Sequence, residues 1–107
     1  MTDQEENAKM TEEELRAEIE KQFRLQKVDE ILMQFMITLS NLAYIKMGLT
    51  EETKDVRDLA QASLAIDGFK ALLDSAGGRL PEQDAQALAG ALSSMQITFA
   101  KESSGES

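Results

Sequence analysis

The sequence predicts an all-α fold, a small antiparallel bundle of three helices, or four, with a long first helix and a tendency to self-associate. Three observations carry this. Ala, Leu, Glu, Gln and Lys dominate the 107 residues, with one proline and few β-branched residues, a composition that favours helix. Two separate segments repeat apolar residues at steps of three and four, the period of one helix face. Helix-start and helix-stop residues also stand where these segments begin and end.

The first helix is predicted from Thr11. Thr11 and Glu14 have the spacing of a capping box, and Glu12 and Glu13 add acids to the first turn. Leu15, Ile19, Phe23, Val28, Leu32, Phe35, Leu39 and Leu42 then recur mostly at three or four, with one step of five between Phe23 and Val28. That slip moves the apolar stripe to another face, so the element is expected over about 12–47, either bent or broken near 24–28. Gly48 after Lys46 is placed as its C-terminal glycine.

Residues 49–55 connect to a second core helix over about 55–76, with Thr50, Thr53 and Asp55 all candidate caps. Leu59, Ala62, Ile66, Phe69 and Leu73 form its seam, and Gly77-Gly78 stops it. Pro81 suits the first turn of a third helix over about 81–101, whose seam is Ala85, Leu88, Leu92, Met95 and Phe99. These bounds make one helical domain over 11–101. The polar stretches 1–10 and 102–107 are expected to be disordered, because neither buries enough to offset ordering entropy.

Composition also bounds the chemistry. The sequence contains no cysteine and no histidine. Disulfides, thiolate catalysis, Ser–His or Cys–His nucleophiles and the usual zinc and haem ligands are therefore outside its repertoire. Net charge is −9, which disfavours a phosphate backbone, so nucleic acid is not an expected partner. Residues 1–10 have neither a basic n-region nor an apolar h-region, and no signal peptide is expected there. The predicted location is the cytoplasm.

The segment 31–45, ILMQFMITLSNLAYI, has no charge at all. Fifteen helical residues reach roughly 22 Å, short of a hydrocarbon core of about 30 Å, so it is not predicted to span a membrane. On a helical wheel it shows two apolar stripes roughly 145° apart. One is Leu32, Phe35, Leu39 and Leu42, with Met36 and Ala43 beside it; the other is Met33, Ile37, Tyr44 and Met47. Two partner helices with one seam each can cover one stripe. The expected core is Phe35, Leu39, Leu42, Leu59, Ile66, Phe69, Leu73, Leu88, Leu92, Met95 and Phe99. Met33, Ile37, Tyr44 and Met47 are expected to meet a second protomer, a dimer being the favoured homo-oligomer, or an unidentified protein partner.

Among possible chemical sites, Asp67 follows Ile66 in mid-helix without a second carboxylate or nucleophile at motif spacing, and is read as structural, pairing with Arg79 or Lys70. Glu51, Glu52, Asp55 and Asp58 lack the spacing of a calcium loop and read as a solvated helix start. Gly77-Gly78-Arg79 lacks the Lys-Ser/Thr of a phosphate loop. No catalytic, cofactor-binding or metal-ligating residue is predicted, no cofactor is expected, and the chain is not expected to be an enzyme. The preferred function is a non-catalytic oligomerisation or interaction module. The alternative is a peripheral membrane adaptor using residues 15–28, where Lys21, Arg24 and Lys27 accompany Phe23 and Leu25.

One resemblance bears on this reading. The run Phe35-x-x-x-Leu39-x-x-Leu42-Ala43, then Asp58-Leu59-x-x-Ala62-x-x-x-Ile66-Asp67-x-x-x-x-Leu72, then Gly78-x-Leu80-x-x-x-Asp84-x-x-x-Leu88-x-x-x-Leu92 resembles a small bacterial family catalogued as domain of unknown function 1844. The resemblance covers about 32–101 and implies a bacterial, all-helical protein without an assigned activity. Arg79-Leu80-Pro81 departs from the family's usual Asn-Leu-Thr, which removes a threonine cap and leaves Asp84 without its reciprocal partner. Ala76 stands where threonine is common, and nothing transfers to residues 11–30.

Overall fold

The computed structural model describes residues 11–105, so the expected disorder of 1–10 lies outside the described residues. Among the described residues four helices follow one another: α1 (Glu12–Phe23), α2 (Val28–Met47), α3 (Leu59–Ala76) and α4 (Glu82–Ser103). Short 3-10 turns at Lys54–Val56 and Gly77–Arg79 precede α3 and α4, and the described residues contain no strand.

The long first helix is therefore two helices, and the first of them is short. α1 opens on the capping box: the Thr11 hydroxyl accepts from the Glu14 N–H and the Glu14 carboxylate accepts from the Thr11 N–H, each at 3.0 Å. It stops at Phe23 although Arg24–Lys27 contains neither glycine nor proline. The step of five in the apolar pattern falls here, so one straight helix could not keep both stripes on the same side. Asp29 and Glu30 then restart the chain as acids in the first turn of α2, where the helix dipole favours them. Glu30 also accepts from the Lys27 N–H at 3.4 Å.

α2, α3 and α4 pack on one another, whereas α1 makes no packing interface with any of them. Along α2 the innermost residues are Met36, Ala43 and Met47, all fully buried. α3 contributes Ala62, Ala65, Ile66, Phe69 and Ala76, and α4 contributes Leu88 and Met95, with Leu80 closing the end. Leu32, Met33, Leu39, Tyr44, Leu72, Leu73, Leu92 and Phe99 pack around this centre, partly buried. Phe69 is the largest residue with no exposed surface. α2 and α3 approach closely beside it, since a Cβ on Gly68 would lie 3.3 Å from Leu39 Cδ1.

This packing corrects part of the expected core. Phe35 and Leu42 are exposed, at 54% and 41%, and Met47, expected at a protomer interface, is fully buried. The inward face of α2 runs between the two predicted stripes, because α3 seats on the line of Met36 and Ala43. The outer members of each stripe, Phe35 and Leu42 on one side and Ile37 on the other, are turned to the surface.

The helix ends also differ in detail from the sequence reading. α3 begins four residues later than expected and is capped by Asp58, whose carboxylate accepts from the Gln61 N–H at 3.1 Å. Thr50 and Thr53 instead bond each other's backbone N–H groups in the preceding turn. Pro81 is the N-cap residue of α4 and provides no side-chain cap. α4 continues through Glu102 and Ser103, which the sequence assigns to the tail.

α2 ends at Gly48 in the left-handed conformation, φ +66°, and a Cβ there would lie 2.6 Å from Arg57 Cβ. Both conformation and space therefore require glycine. Gly48→Ala should lose at least ~1–2 kcal/mol from the backbone alone, and Phe69→Ala about 3–5 kcal/mol from the cavity it opens. Urea unfolding followed by circular dichroism measures both; a Gly48→Ala midpoint equal to that of the parent would contradict the clash.

Candidate functional site

The main feature that intrachain packing leaves unresolved is the outer face of α2. Val28, Ile31, Phe35, Thr38, Leu42 and Ile45 follow steps of three and four along the helix, a seam of the kind that pairs helices. Val28, Phe35, Leu42 and Ile45 are 70%, 54%, 41% and 40% exposed. Leu49, just beyond the Gly48 cap, extends the strip at 45%. From Phe35 to Ile45 the seam faces away from Met36, Ala43 and Met47, whereas at its start Val28 borders Ser75 and Ala76 at the end of α3.

Charge is arranged around this face. The positions flanking the seam on its two sides are Lys27, Gln34 and Asn41, and Leu32, Leu39 and Lys46. Neither flank carries a carboxylate. At the far end a cleft of ≈ 170 Å³ opens between Tyr44, Ile45, Leu49, Thr50 and Thr53.

The interface residues predicted from sequence divide. Ile37 is 52% exposed, Met33 and Tyr44 are half-buried against the core, and Met47 is inside it. The structure does not bring these four together as one surface. The seam that is exposed was visible as a 3-4 spacing from Val28 to Ile45, but Thr38 interrupts its apolar character in the middle.

A second exposed apolar strip lies on α1. Leu15, Ile19 and Phe23 are about half exposed and stack at steps of four, one turn apart. Every residue of α1 is exposed. Leu25, in the connection, is 93% exposed.

Of the polar candidates, Asp58 and Glu51 are engaged within the chain and Asp67 is not. Asp67 is exposed, and its expected partner Lys70 pairs with Asp74 at 3.0 Å instead. Asp58 caps α3, and Glu51 lies 3.9 Å from Lys54 in a solvated pair. A polar cleft of ≈ 430 Å³ beside Gly48, Lys54 and Glu102 contains Arg57. That guanidinium donates to the Met47 carbonyl at 2.9 Å and to Glu102 Oε1 at 2.7 Å. A second nitrogen reaches the Glu102 carbonyl at 3.5 Å. Arg57 thus joins the C-terminus of α2 to that of α4. Among the described residues there is no cluster of three or more metal-ligating side chains, and no helix is long and apolar enough to cross a membrane.

Across the described residues these features define an all-α protein with a packed core and exposed apolar helix faces on α2 and α1. The chain belongs to the family described as Domain of unknown function (DUF1844), whose model matches residues 30–101. The match takes in α2, α3 and α4 almost entirely and leaves α1 outside it. No curated protein and no solved structure matches the chain.

Removing the Arg57 clasp should loosen the α2–α4 end of the core. Arg57→Ala is expected to lose about 1.5–3 kcal/mol, the range for hydrogen bonds to charged groups, and Arg57→Lys should recover only part of it because an ammonium lacks the planar fork. Thermal unfolding monitored at 222 nm reads this; full recovery by lysine would show that charge alone suffices.

Proposed function

We propose that this chain is a non-catalytic interaction module that self-associates, most simply as a two-fold dimer, through the outer face of α2. The observation that carries the reading is the apolar seam of Val28, Phe35, Leu42 and Ile45, left in water by a fold that has already used the opposite face for its core. A surface of this kind on a small helical core is the usual mark of an interface. A two-fold axis lets one self-complementary strip meet its own copy, with no second patch required. The absence of carboxylates on both flanks supports a like partner, because two copies of an acidic chain can meet there without opposing acids.

The exposed strip of α1 favours a second reading, in which Leu15, Ile19, Phe23 and Leu25 contact a membrane surface beside Lys21, Arg24 and Lys27. Five glutamates on α1 oppose anionic headgroups, which places this reading behind the first. Co-flotation with anionic vesicles at low salt would support it, and its absence would remove it.

Sedimentation equilibrium at micromolar concentration should give twice the chain mass of 11.8 kDa. Phe35→Glu should halve that mass while leaving helical content unchanged, since Phe35 contributes little to the core. A parent chain that sediments as a monomer overturns the proposal.

A further inference from the structure

We infer that α1 completes the dimer by crossing between copies: α1 of one chain lies on the α2 face of the other, with Phe23 seated in the cleft beside Ile45 and Leu49. This rests on the α2 seam being the dimer surface and names what covers its outer end.

Among the described residues α1 packs on no other helix. It has 12 residues, all exposed, and isolated helices of that length are marginal in water even when well capped. Its apolar strip is the counterpart of the uncovered α2 face. The four exposed α2 side chains and Leu49 leave on the order of 400 Å² of apolar surface, about half of the roughly 800 Å² per partner that a stable interface buries. Leu15, Ile19 and Phe23 would supply a substantial part of the remainder.

Geometry selects the other copy over the same chain. Only Arg24–Lys27 separates α1 from α2. Folding back on its own α2 would therefore bring Phe23 beside Val28, at the opposite end from the cleft. Two α2 seams paired antiparallel place Val28 of one copy beside Ile45 and Leu49 of the other. Phe23 then arrives at the cleft lined by Tyr44, Ile45, Leu49, Thr50 and Thr53. Its ≈ 170 Å³ compares with the apolar cavity of about 150 Å³ that takes up benzene.

The chain has no cysteine, which makes a directed cross-link clean. In the full-length double variant Gln22→Cys/Leu49→Cys, both positions are exposed and Phe23 is kept. Mild oxidation should convert most of the protein to a covalent dimer on a non-reducing gel, with the 22–49 bond identified between chains by peptide mass. A dimeric mass with no interchain 22–49 bond would overturn the crossing while leaving the α2 interface standing. A monomeric mass for the parent chain would remove both.

Discussion

The close packing of α3 on α2 governs the rest of this structure. Ala43, Ala62, Ala65 and Gly68 leave little bulk between the two helices, so Phe69 and the methionines Met36, Met47 and Met95 can fill the space beside them. Close approach fixes the rotation of α2 about its own axis, because only the line through Met36 and Ala43 lets the backbones come so near. Once that rotation is set, the fate of every other apolar residue on α2 follows. In the middle of α2 the residues near that line, Leu32, Leu39 and Met47, are covered, and Phe35, Ile37 and Leu42 farther round are not. The exposed seam is thus a consequence of how the core is built.

The end of the core near Gly48 shows the same dependence of one choice on another. A left-handed glycine turns the chain away from α2 and lets the Arg57 side chain approach its backbone. From there Arg57 occupies the last carbonyl of α2 and binds Glu102 near the end of α4, while the Asp58 N–H donates to the Lys46 carbonyl at 2.7 Å. The terminal carbonyls of α2, which cannot be satisfied within the helix, become the attachment points for the connection that follows. This explains why α3 starts as late as Asp58. The intervening residues are spent on a threonine turn and a 3-10 turn that carry Arg57 into position.

How far the sequence discloses this depends on the width of each apolar stripe. α3 and α4 have narrow seams, and the residues named for them, among them Ile66, Phe69, Leu88 and Met95, are the ones the core buries. α2 is apolar over more than half its circumference, so periodicity alone cannot say which part faces inward. Ala43 and Met36 carry no special signal on a wheel crowded with leucine and isoleucine, and it is the small size of Ala43, set against the alanines of α3, that decides the matter. The division of the first helix was legible as a slip in spacing. That the chain would break, instead of bend, depends on α1 having no place on this core.

Electrostatics gives the uncovered face a further meaning. A chain of net charge −9 meets long-range repulsion from its own copy, and at physiological ionic strength that repulsion is screened beyond roughly 8 Å. What must be avoided is acid against acid at contact distance. The acids of the described chain lie on α1, in the first turn of α2, in the turns, on α3 at Asp67 and Asp74 and on α4 at Glu82, Asp84 and Glu102, while the seam and its flanks from Ile31 to Ile45 carry none. Association through any of the acidic segments alone would have to pair carboxylates with each other. Association through the α2 face leaves them at the rim, where screening is effective. The uncharged run from Ile31 to Ile45 thus has two sides: the inner one supplies the core, and the outer one is the acid-free apolar face proposed above for association.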